Sequence, residues 1–251
     1  MKFIHLSDLH LSTPGASLHG LDPLHQLGLC VSSICERHRD AAFCIVSGDI
    51  THSGEASGYE AAREILSELP MPVRLMIGNH DDREAFQVAF PDACCDPHGF
   101  VQQAFATDIG RFILLDTHEP GSAAGRLCDL RLGWLVHELE NSDEPIYLFM
   151  HHPPFNVGFH RMDAISLAAP EVLLAALRRH RPRIRHMFLG HLHRSLAGSW
   201  HGIPISCVRG TSHQIALDFV TQNTAPVSFE TPGYAVVLAS DDQTIVHFSD
   251  V

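Results

Sequence analysis

Short apolar segments of strand length repeatedly end in aspartate, asparagine or histidine, and this pattern most limits the fold that the chain can adopt. Helix-period stretches separate the segments, which is typical of strands connected through crossover helices, so the sequence predicts an α/β fold. The predicted strands span 2–7, 42–47, 72–77, 111–116, 145–150 and 185–189, and the predicted helices span 22–38, 55–68, 83–90, 130–141 and 170–180. After residue 195 the pattern changes to strands alone, at 195–200, 203–208, 234–240 and 243–248.

Polar residues with metal-binding side chains follow five of these predicted strands. In an open α/β sheet the ligand site lies beyond the carboxyl ends of the strands, so we expect these side chains to meet at one rim. One such group after a strand is typical of an ordinary turn, but five in succession indicate a site. The candidates are Asp8 and His10 after the first strand, Asp49 after the second, Asn79 and His80 after the third, His151 after the fifth, and His191 and His193 after the sixth.

The candidate ligands comprise two carboxylates, one amide oxygen and several imidazoles, with no thiolate. Such a set suits zinc, iron, manganese or cobalt. Because about seven ligands exceed what one ion needs, we expect two divalent ions that share a bridging carboxylate. Two such ions lower the pKa of a bridging water enough to form hydroxide near neutral pH, and they also bind phosphoryl oxygens.

Motifs for other kinds of catalysis are absent from the chain. It contains no phosphate-binding loop, no dinucleotide fingerprint, no H-E-x-x-H zinc motif and no G-x-S-x-G turn. A covalent protein nucleophile therefore has no candidate. The residues that are present fit attack of a metal-bound hydroxide on phosphorus, with charge stabilised by the metals and a nearby imidazole.

Length and composition limit the partners of this chain. Its 251 residues suit one domain, and its formal net charge of −12 disfavours a nucleic acid polymer or an anionic membrane as partner. No segment reaches the roughly 20 apolar residues of a transmembrane helix. The first residues are interpreted as a strand and most of the seven cysteines lie in apolar segments, so we expect a cytoplasmic enzyme with reduced thiols. Histidine is unusually frequent, at 20 residues.

The ordered motifs resemble the calcineurin-like metallophosphoesterase superfamily, and most of all its class III cyclic-nucleotide phosphodiesterase and glycerophosphodiesterase branch. The resemblance covers residues 3 to about 215 and implies a four-layer α/β/β/α sandwich with loop insertions that form a cap over the site. It rests on S-D-x-H at 7–10, Gly48-Asp49, G-N-H-D-D at 78–82, F-M-H-H-P-P at 149–154 and G-H-x-H at 190–193.

Individual roles follow from this resemblance. It implies that one metal is held by Asp8, His10 and His193, and that Asp49 bridges the two metals as part of the catalytic centre. His80 is the expected phosphate contact or leaving-group acid. The second metal is assigned to Asn79, His151 and His191, and the substrate-side residues are Asn79, His80 and His213.

The expected activity is that of a metal-dependent phosphoric diester hydrolase acting on small molecules, with 3′,5′-cyclic AMP and glycerophosphodiesters as leading substrates. The alternative is a phosphomonoesterase or protein phosphatase of the same superfamily; a non-catalytic scaffold is less favoured because the ligands are intact. Specificity is expected to reside in the long irregular segments 11–21, 118–128, 153–168 and 211–232. Segment 211–232 is also a candidate cap or oligomerisation segment for a homodimer or larger homo-oligomer.

Several other polar residues lie close to the motifs. Asp82 is predicted to cap the following helix, whereas Asp81 is a candidate partner for imidazole N–H groups. His152 is interpreted as either a pocket wall or a packing residue. Arg126, Arg161 and Arg209 could clamp a phosphate, but they are interpreted as surface charges. Nine histidines without a motif are interpreted as surface or satisfied core residues: His5, His19, His25, His38, His98, His137, His180, His186 and His247.

Overall fold

Two β-sheets pack face to face in the computed structural model, which describes residues 1–251, and helices cover the outer face of each sheet. The strands are β1 (Lys2–Leu6), β2 (Cys44–Ser47), β3 (Val73–Met76), β4 (Gln103–Thr107), β5 (Gly110–Leu115), β6 (Ile146–Met150), β7 (Ile184–Leu189), β8 (Leu196–Trp200), β9 (Ile203–Cys207), β10 (Gln214–Ile215), β11 (Val227–Ser228), β12 (Gly233–Ala239) and β13 (Thr244–Asp250). The helices are α1 (Pro23–Arg37), α2 (Ala56–Leu66), α3 (Arg83–Ala89), α4 (Asp129–Glu140), α5 (His160–Asp163) and α6 (Pro170–Leu177), with a 3₁₀ turn at Arg181–Arg183.

The first sheet has the order β13-β12-β1-β2-β3. Its strands β1, β2 and β3 run parallel, while β12 and β13 join β1 as an antiparallel hairpin. The second sheet has the order β4-β5-β6-β7-β9-β8, in which β5, β6, β7 and β9 are parallel. The parallel strands of both sheets direct their carboxyl ends to the site, which is where the crossover connections place ligand residues in such folds.

Aromatic rings fill the space between the two sheets. Phe3 of β1 packs edge-on against Phe112 of β5, with ring centroids 5.3 Å apart. Phe149 and Phe188 stack at 4.5 Å within the same layer. Because side chains alternate along a strand, Phe3 faces the other sheet while its neighbour Ile4 joins the core under the helices. This alternation produces the predicted α/β/β/α sandwich, so the fold prediction is confirmed.

Local signals at the helix ends agree with the sequence. The carboxylate of Asp22 accepts hydrogen bonds from the backbone N–H groups of Leu24 and His25, and Pro23 occupies the first helical position of α1. Asp82 accepts from the backbone N–H of Ala85 at 2.8 Å, which confirms it as the cap of α3. No helix in the structure has both the length and the apolar character needed to cross a membrane.

The sequence prediction omitted some elements. The segment Gln103–Thr107 forms β4, an edge strand that pairs antiparallel with β5. Its five residues, Gln-Ala-Phe-Ala-Thr, carry only one large apolar side chain, so their pattern alone does not indicate a strand. Two of the segments predicted to be irregular also contain short elements, α5 in 153–168 and the pair β10 and β11 in 211–232.

Candidate metal centre

The predicted ligand residues come from both sheets and meet at one rim of the sandwich. The first sheet contributes the residues that follow β1, β2 and β3, and the second contributes those that follow β6 and β7. All of them are buried or half-buried. The sandwich therefore places its candidate site at the edge between the two sheets. The residues are Asp8, His10, Asp49, Asn79, His80, His151, His191 and His193.

The side-chain donor atoms of this group lie very close to one another. His10 and His193 approach with their Nε2 atoms 2.9 Å apart. The Oδ2 atom of Asp49 lies 3.5 Å from His10 Nε2 and 3.2 Å from His151 Nε2. His193 Nε2 lies 3.4 Å from Oδ1 of Asp8. Ligand atoms of Asp8, His10, Asp49 and His193 thus fall within 4.8 Å of each other, a spacing suited to shared coordination of an ion.

Backbone groups orient the imidazole rings. Nδ1 of His151 lies 2.9 Å from the carbonyl oxygen of Ser47, and Nδ1 of His193 lies 2.8 Å from that of His213. Because a carbonyl only accepts hydrogen bonds, Nδ1 carries the proton in both rings, and the Nε2 lone pairs face the cluster. This is the arrangement that metal-binding histidines adopt when a backbone carbonyl holds the other ring nitrogen.

The donor set fits divalent metal ions. Asn79 Oδ1, His151 Nε2 and His191 Nε2 are buried without any hydrogen-bond partner, although burying an unpaired polar atom is unfavourable. The Nε2 atoms of His10 and His193 lie at hydrogen-bond distance, so they share either a proton or a metal ion. A metal ion satisfies such atoms together, so the residues fit the group that the ligand chemistry predicts.

Strained backbone geometry accompanies the cluster. Residues with side chains rarely adopt positive φ, and doing so costs about 1–3 kcal/mol each. Eight non-glycine residues do so in this chain, and five of them are predicted ligands. Such strain persists only where the surrounding fold enforces it, and here it turns each side chain into the site. The five are Asp8 at 56°, His10 at 47°, Asp49 at 50°, His191 at 69° and His193 at 48°.

One glycine is required by the close packing around Asp49. A Cβ atom on Gly78 would lie 2.2 Å from Oδ1 of Asp49 and 2.7 Å from Nε2 of His151. Neither side chain is free to retreat, because both are buried within the cluster. Glycine at position 78 therefore allows the loop after β3 to approach the carboxylate.

Electrostatics sets the protonation of the cluster. Burial, strengthened by neighbouring imidazoles, holds the pKa of His10 and that of His191 well below the ordinary histidine value. Burial also opposes the charged form of His151, but Asp49 and Asp8 raise its pKa to about 9. Against the effect of burial, His151 and His10 hold the pKa of Asp49 well below its usual range. His10 and His191 are thus neutral and Asp49 is ionised, which are the forms that metal binding needs, whereas His151 must release its proton when a metal binds.

His80 lies beside the cluster. Its backbone N–H donates to Oδ1 of Asp49 at 2.9 Å, and its Nδ1 lies 2.8 Å from the carbonyl oxygen of His52. The rings of His80 and His52 stack with centroids 5.1 Å apart. His80 lines both the cavity of about 420 Å³ in front of the cluster and a neighbouring polar groove of about 570 Å³.

His213 is buried and lines the same cavity. Its ring lies 4.3 Å from that of His193 and 4.7 Å from that of His19, measured between centroids. Burial and the neighbouring His193 lower the pKa of His213 to about 2, so its ring is neutral. The structure therefore brings the predicted substrate-side residue to the cavity wall.

Other residues occupy the site without having been predicted there. His52 and Arg161 line the cavity, and His19, expected to be an ordinary surface or core residue, lines it as well. His52 lies three residues beyond Asp49, in the loop that follows β2, and this position is the signal that identifies it. His19 and Arg161 lie in two of the long irregular segments and are brought in only by tertiary folding.

Of two neighbouring residues, Asp81 has a different role from the one expected and His152 has one of its two expected roles. Asp81 does not bond to an imidazole; its buried carboxylate accepts from the backbone N–H groups of Ile50, Thr51 and Gly78. It thereby ties the loop after β2 to the loop after β3. His152 is fully buried and its Nδ1 lies 2.7 Å from Thr117 Oγ1, which favours packing behind the cluster over lining the cavity.

Comparisons with known proteins agree with the geometry of the site. A family model described as "Calcineurin-like phosphoesterase" matches residues 1–195. A Rhodopseudomonas palustris protein named "Probable cyclic nucleotide phosphodiesterase" is 41% identical over 98% of this chain and 91% of its own length. A glycerophosphodiester phosphodiesterase of Enterobacter lignolyticus is 31% identical over 86% of this chain and 79% of its own.

Solved structures show the same fold. The crystal structure of a dimetal phosphatase from Danio rerio aligns with a TM-score of 0.75 over 100% of this chain and 96% of that one. Sequence identity in this alignment is 16%, so the likeness concerns the architecture alone.

Proposed function

Because the chain belongs to the calcineurin-like phosphoesterase family, we propose that it is a metal-dependent hydrolase of small-molecule phosphodiesters. The names of its relatives support cyclic nucleotides and glycerophosphodiesters as the substrate classes. The observation that carries the proposal is the convergence of Asp8, His10, Asp49 and His193 within 4.8 Å, from three separate strand ends.

We assign the ligands to two metal positions. Asp8, His10 and His193 would hold one divalent ion, and Asn79, His151 and His191 would hold the other. Nitrogen and oxygen ligands without thiolates suit manganese, iron, zinc or cobalt. When bound, such ions neutralise phosphoryl charge and lower the pKa of a coordinated water.

Asp49 is suited to a bridging position between the two. Its Oδ2 atom faces His10 on one side and His151 on the other. Its Oδ1 atom accepts the backbone N–H of His80, which fixes the plane of the carboxylate. Because the two imidazoles belong to different proposed ligand groups, these distances support a bridging role for this single carboxylate.

His80 is proposed to act on the substrate rather than on a metal. Its Nδ1 donates to the carbonyl of His52, so a neutral ring presents an unprotonated Nε2 and a charged ring presents an N–H there. With the N–H present, Nε2 can donate a hydrogen bond to a phosphoryl oxygen or a proton to the departing alkoxide. Asn79 and His213 would contact the substrate from neighbouring walls of the cavity.

We also propose that residues 1–251 form a single domain and that segment 211–232 acts as a cap or oligomerisation surface. In its favour, Ile215 and His213 of this segment line the cavity. The same segment exposes Phe219, Val220 and Phe229, and exposed large apolar residues in one segment favour a contact with another copy of the chain.

The test combines metal analysis with turnover. Purified protein is loaded with Mn²⁺ or Co²⁺, its metal content is measured, and its kcat/KM is compared for cyclic AMP, a glycerophosphodiester, bis(4-nitrophenyl) phosphate and 4-nitrophenyl phosphate. We expect two metals per chain and preference for diesters. Preference for the monoester would overturn the diesterase assignment in favour of a phosphomonoesterase. Full activity with fewer than two saturated metal sites would overturn the two-metal assignment.

A further inference from the structure

The cavity in front of the metal-binding cluster has two unlike walls. One wall is the cluster itself. The second wall comes from loops 153–168 and 211–232, which contribute the apolar side chains of Met162, Ile165 and Ile215 together with the side chain of Arg161. A phosphodiester anchored at the cluster extends one of its alcohol groups toward this second wall. The chemistry of the wall therefore bears on which alcohol the site accepts.

Arg161 is the one lysine or arginine among the residues that line this cavity. No carboxylate pairs with it. Asp163, on the same short helix, accepts from the backbone N–H groups of Val157 and Gly158. Asp218, from the other loop, accepts from the backbone N–H groups of Val220 and Thr221. The acids nearest in the chain are thus engaged, and the guanidinium charge is available to a ligand.

The other candidate arginines differ in this respect. Arg126 forms an ion pair with Glu119 at 3.6 Å, and Arg209 forms one with Asp250 at 3.1 Å. Neither lines the cavity. Of Arg126, Arg161 and Arg209, only Arg161 combines a position on the cavity wall with an unpaired charge.

The wall lacks the groups that receive a cationic alcohol. Quaternary ammonium groups bind in cages of phenyl, phenol or indole rings, or against carboxylates. None of these rings lines the cavity, and its single carboxylate is Asp49, which faces His10 and His151 inside the cluster. A choline or ethanolamine group would instead meet the like charge of Arg161.

We propose that Arg161 determines specificity by favouring phosphodiesters whose alcohol is neutral or anionic, such as a nucleoside, over those with a cationic alcohol such as choline. The inference rests on the proposed function, since it concerns the substrate class of the same site. Nucleobases offer acceptor atoms to a guanidinium and a flat face to Met162 and Ile165, so both features of the wall suit them.

Binding of non-hydrolysable phosphonates tests this without turnover. Propylphosphonate, 3-phosphonopropionate and 3-aminopropylphosphonate share one anchor and differ in the charge of the tail. In calorimetric titrations of the Mn²⁺-loaded protein, we expect 3-phosphonopropionate, the carboxylate, to bind most tightly and 3-aminopropylphosphonate, the amine, to bind least tightly. In Arg161→Gln the affinity ratio of carboxylate to amine should fall about 3- to 10-fold, as expected for one partly screened charge. Arg161→Glu should invert the order.

A matched variant separates the effect of the Arg161 charge in the cavity from the effect of the net charge of the protein. Arg39 is exposed in the loop after α1 and lies outside the cavity, so Arg39→Gln makes the same change in net charge. The ratio should stay at the wild-type value in this variant. An unchanged ratio in Arg161→Gln, or an equal fall in both variants, would overturn the inference.

Turnover then separates this inference from the proposed function. We expect Arg161→Gln to raise KM for cyclic AMP with kcat nearly unchanged, and to raise kcat/KM for glycerophosphocholine, because Arg161 contacts a part of the substrate remote from phosphorus. If no diester is hydrolysed by the wild type while the phosphonate ratio still depends on Arg161, the proposed function fails and the role of Arg161 in selecting tail charge stands.

Discussion

His10 and His193 lie 183 positions apart in the chain, yet their Nε2 atoms are 2.9 Å apart in the folded protein. Both residues have positive φ values, and the Nδ1 proton of His193 is held by the carbonyl of His213. The lone pair of His193 Nε2 thus meets His10 Nε2, where either a shared proton or a metal ion joins the two rings. A metal ion there also meets the nearby carboxylates of Asp8 and Asp49.

Metal binding should therefore stabilise the fold. At a metal concentration 100-fold above Kd, the linkage contributes about 2.7 kcal/mol, which raises Tm by roughly 5–10 °C in a chain of this size. Thermal unfolding followed with excess Mn²⁺ and with a chelator measures the difference. In Asp49→Asn most of the difference should disappear, whereas Asp108→Asn, in the exposed turn between β4 and β5, should retain it. Equal Tm values with metal and chelator in the wild type would contradict the assignment.

Replacement of His80 should separate catalysis from metal binding. Its side chain is directed by the carbonyl of His52 rather than by the cluster, so His80→Ala is expected to keep both metals. Loss of a positioned acid typically lowers the rate about 10²- to 10⁴-fold. Metal content and kcat for a diester are measured on the same preparation, with His98→Ala at an exposed position as the control. Metal loss in parallel with activity would identify His80 as a ligand or a structural residue.

Asp81 and its neighbour Asp82 are expected to differ in their effect on stability. Asp81→Asn replaces one acceptor oxygen by a donor amide opposite backbone N–H groups, so it should destabilise the fold by about 2–4 kcal/mol. Asp82→Ala removes one cap hydrogen bond from α3 and should cost about 1 kcal/mol. Urea unfolding of both variants in chelator provides the comparison, and an equal loss would show that Asp81 is not the tie between the two loops.

Two buried histidines should make stability depend on pH. His5 and His186 lie between the sheets, where their Nε2 atoms meet the hydroxyls of Ser47 and Ser206 at 2.8 Å. Burial, aided in His5 by the neighbouring His186, lowers the pKa of His5 to about 3, and burial lowers the pKa of His186 to about 4. The unfolded chain, with histidine pKa values near 6.5, binds protons that the folded chain does not.

Stability should consequently fall as pH decreases from 6.5 toward 4, by about 1.4 kcal/mol per pH unit for each of these histidines. In His186→Gln this slope should become shallower by about that amount between pH 6 and pH 4.5. Urea unfolding of both proteins across this pH range measures the two slopes, and chelator in both samples removes any contribution from bound metal. The same slope in variant and wild type would show that His186 is charged in the folded state.

The two histidines also explain part of the high histidine content. The sequence left His5 and His186 as surface or satisfied core residues, and their burial and hydroxyl partners identify them as core residues. His52 and His19, by contrast, belong to the cavity wall. Periodicity identifies a side chain on the inner face of a strand, but it does not tell which loop residue turns toward a site.

By itself the sequence determined the strand and helix alternation, the caps at Asp22 and Asp82, and the candidate ligands, because these depend on local periodicity and on residue types next to strand ends. Only the tertiary structure decided how they meet. Bringing Asp8 to His193, tying Asp81 to the loop after β2 and turning Arg161 toward the cavity all require contacts between distant segments. Such contacts arise from the packing of two sheets and the conformations of long loops, which no local pattern encodes.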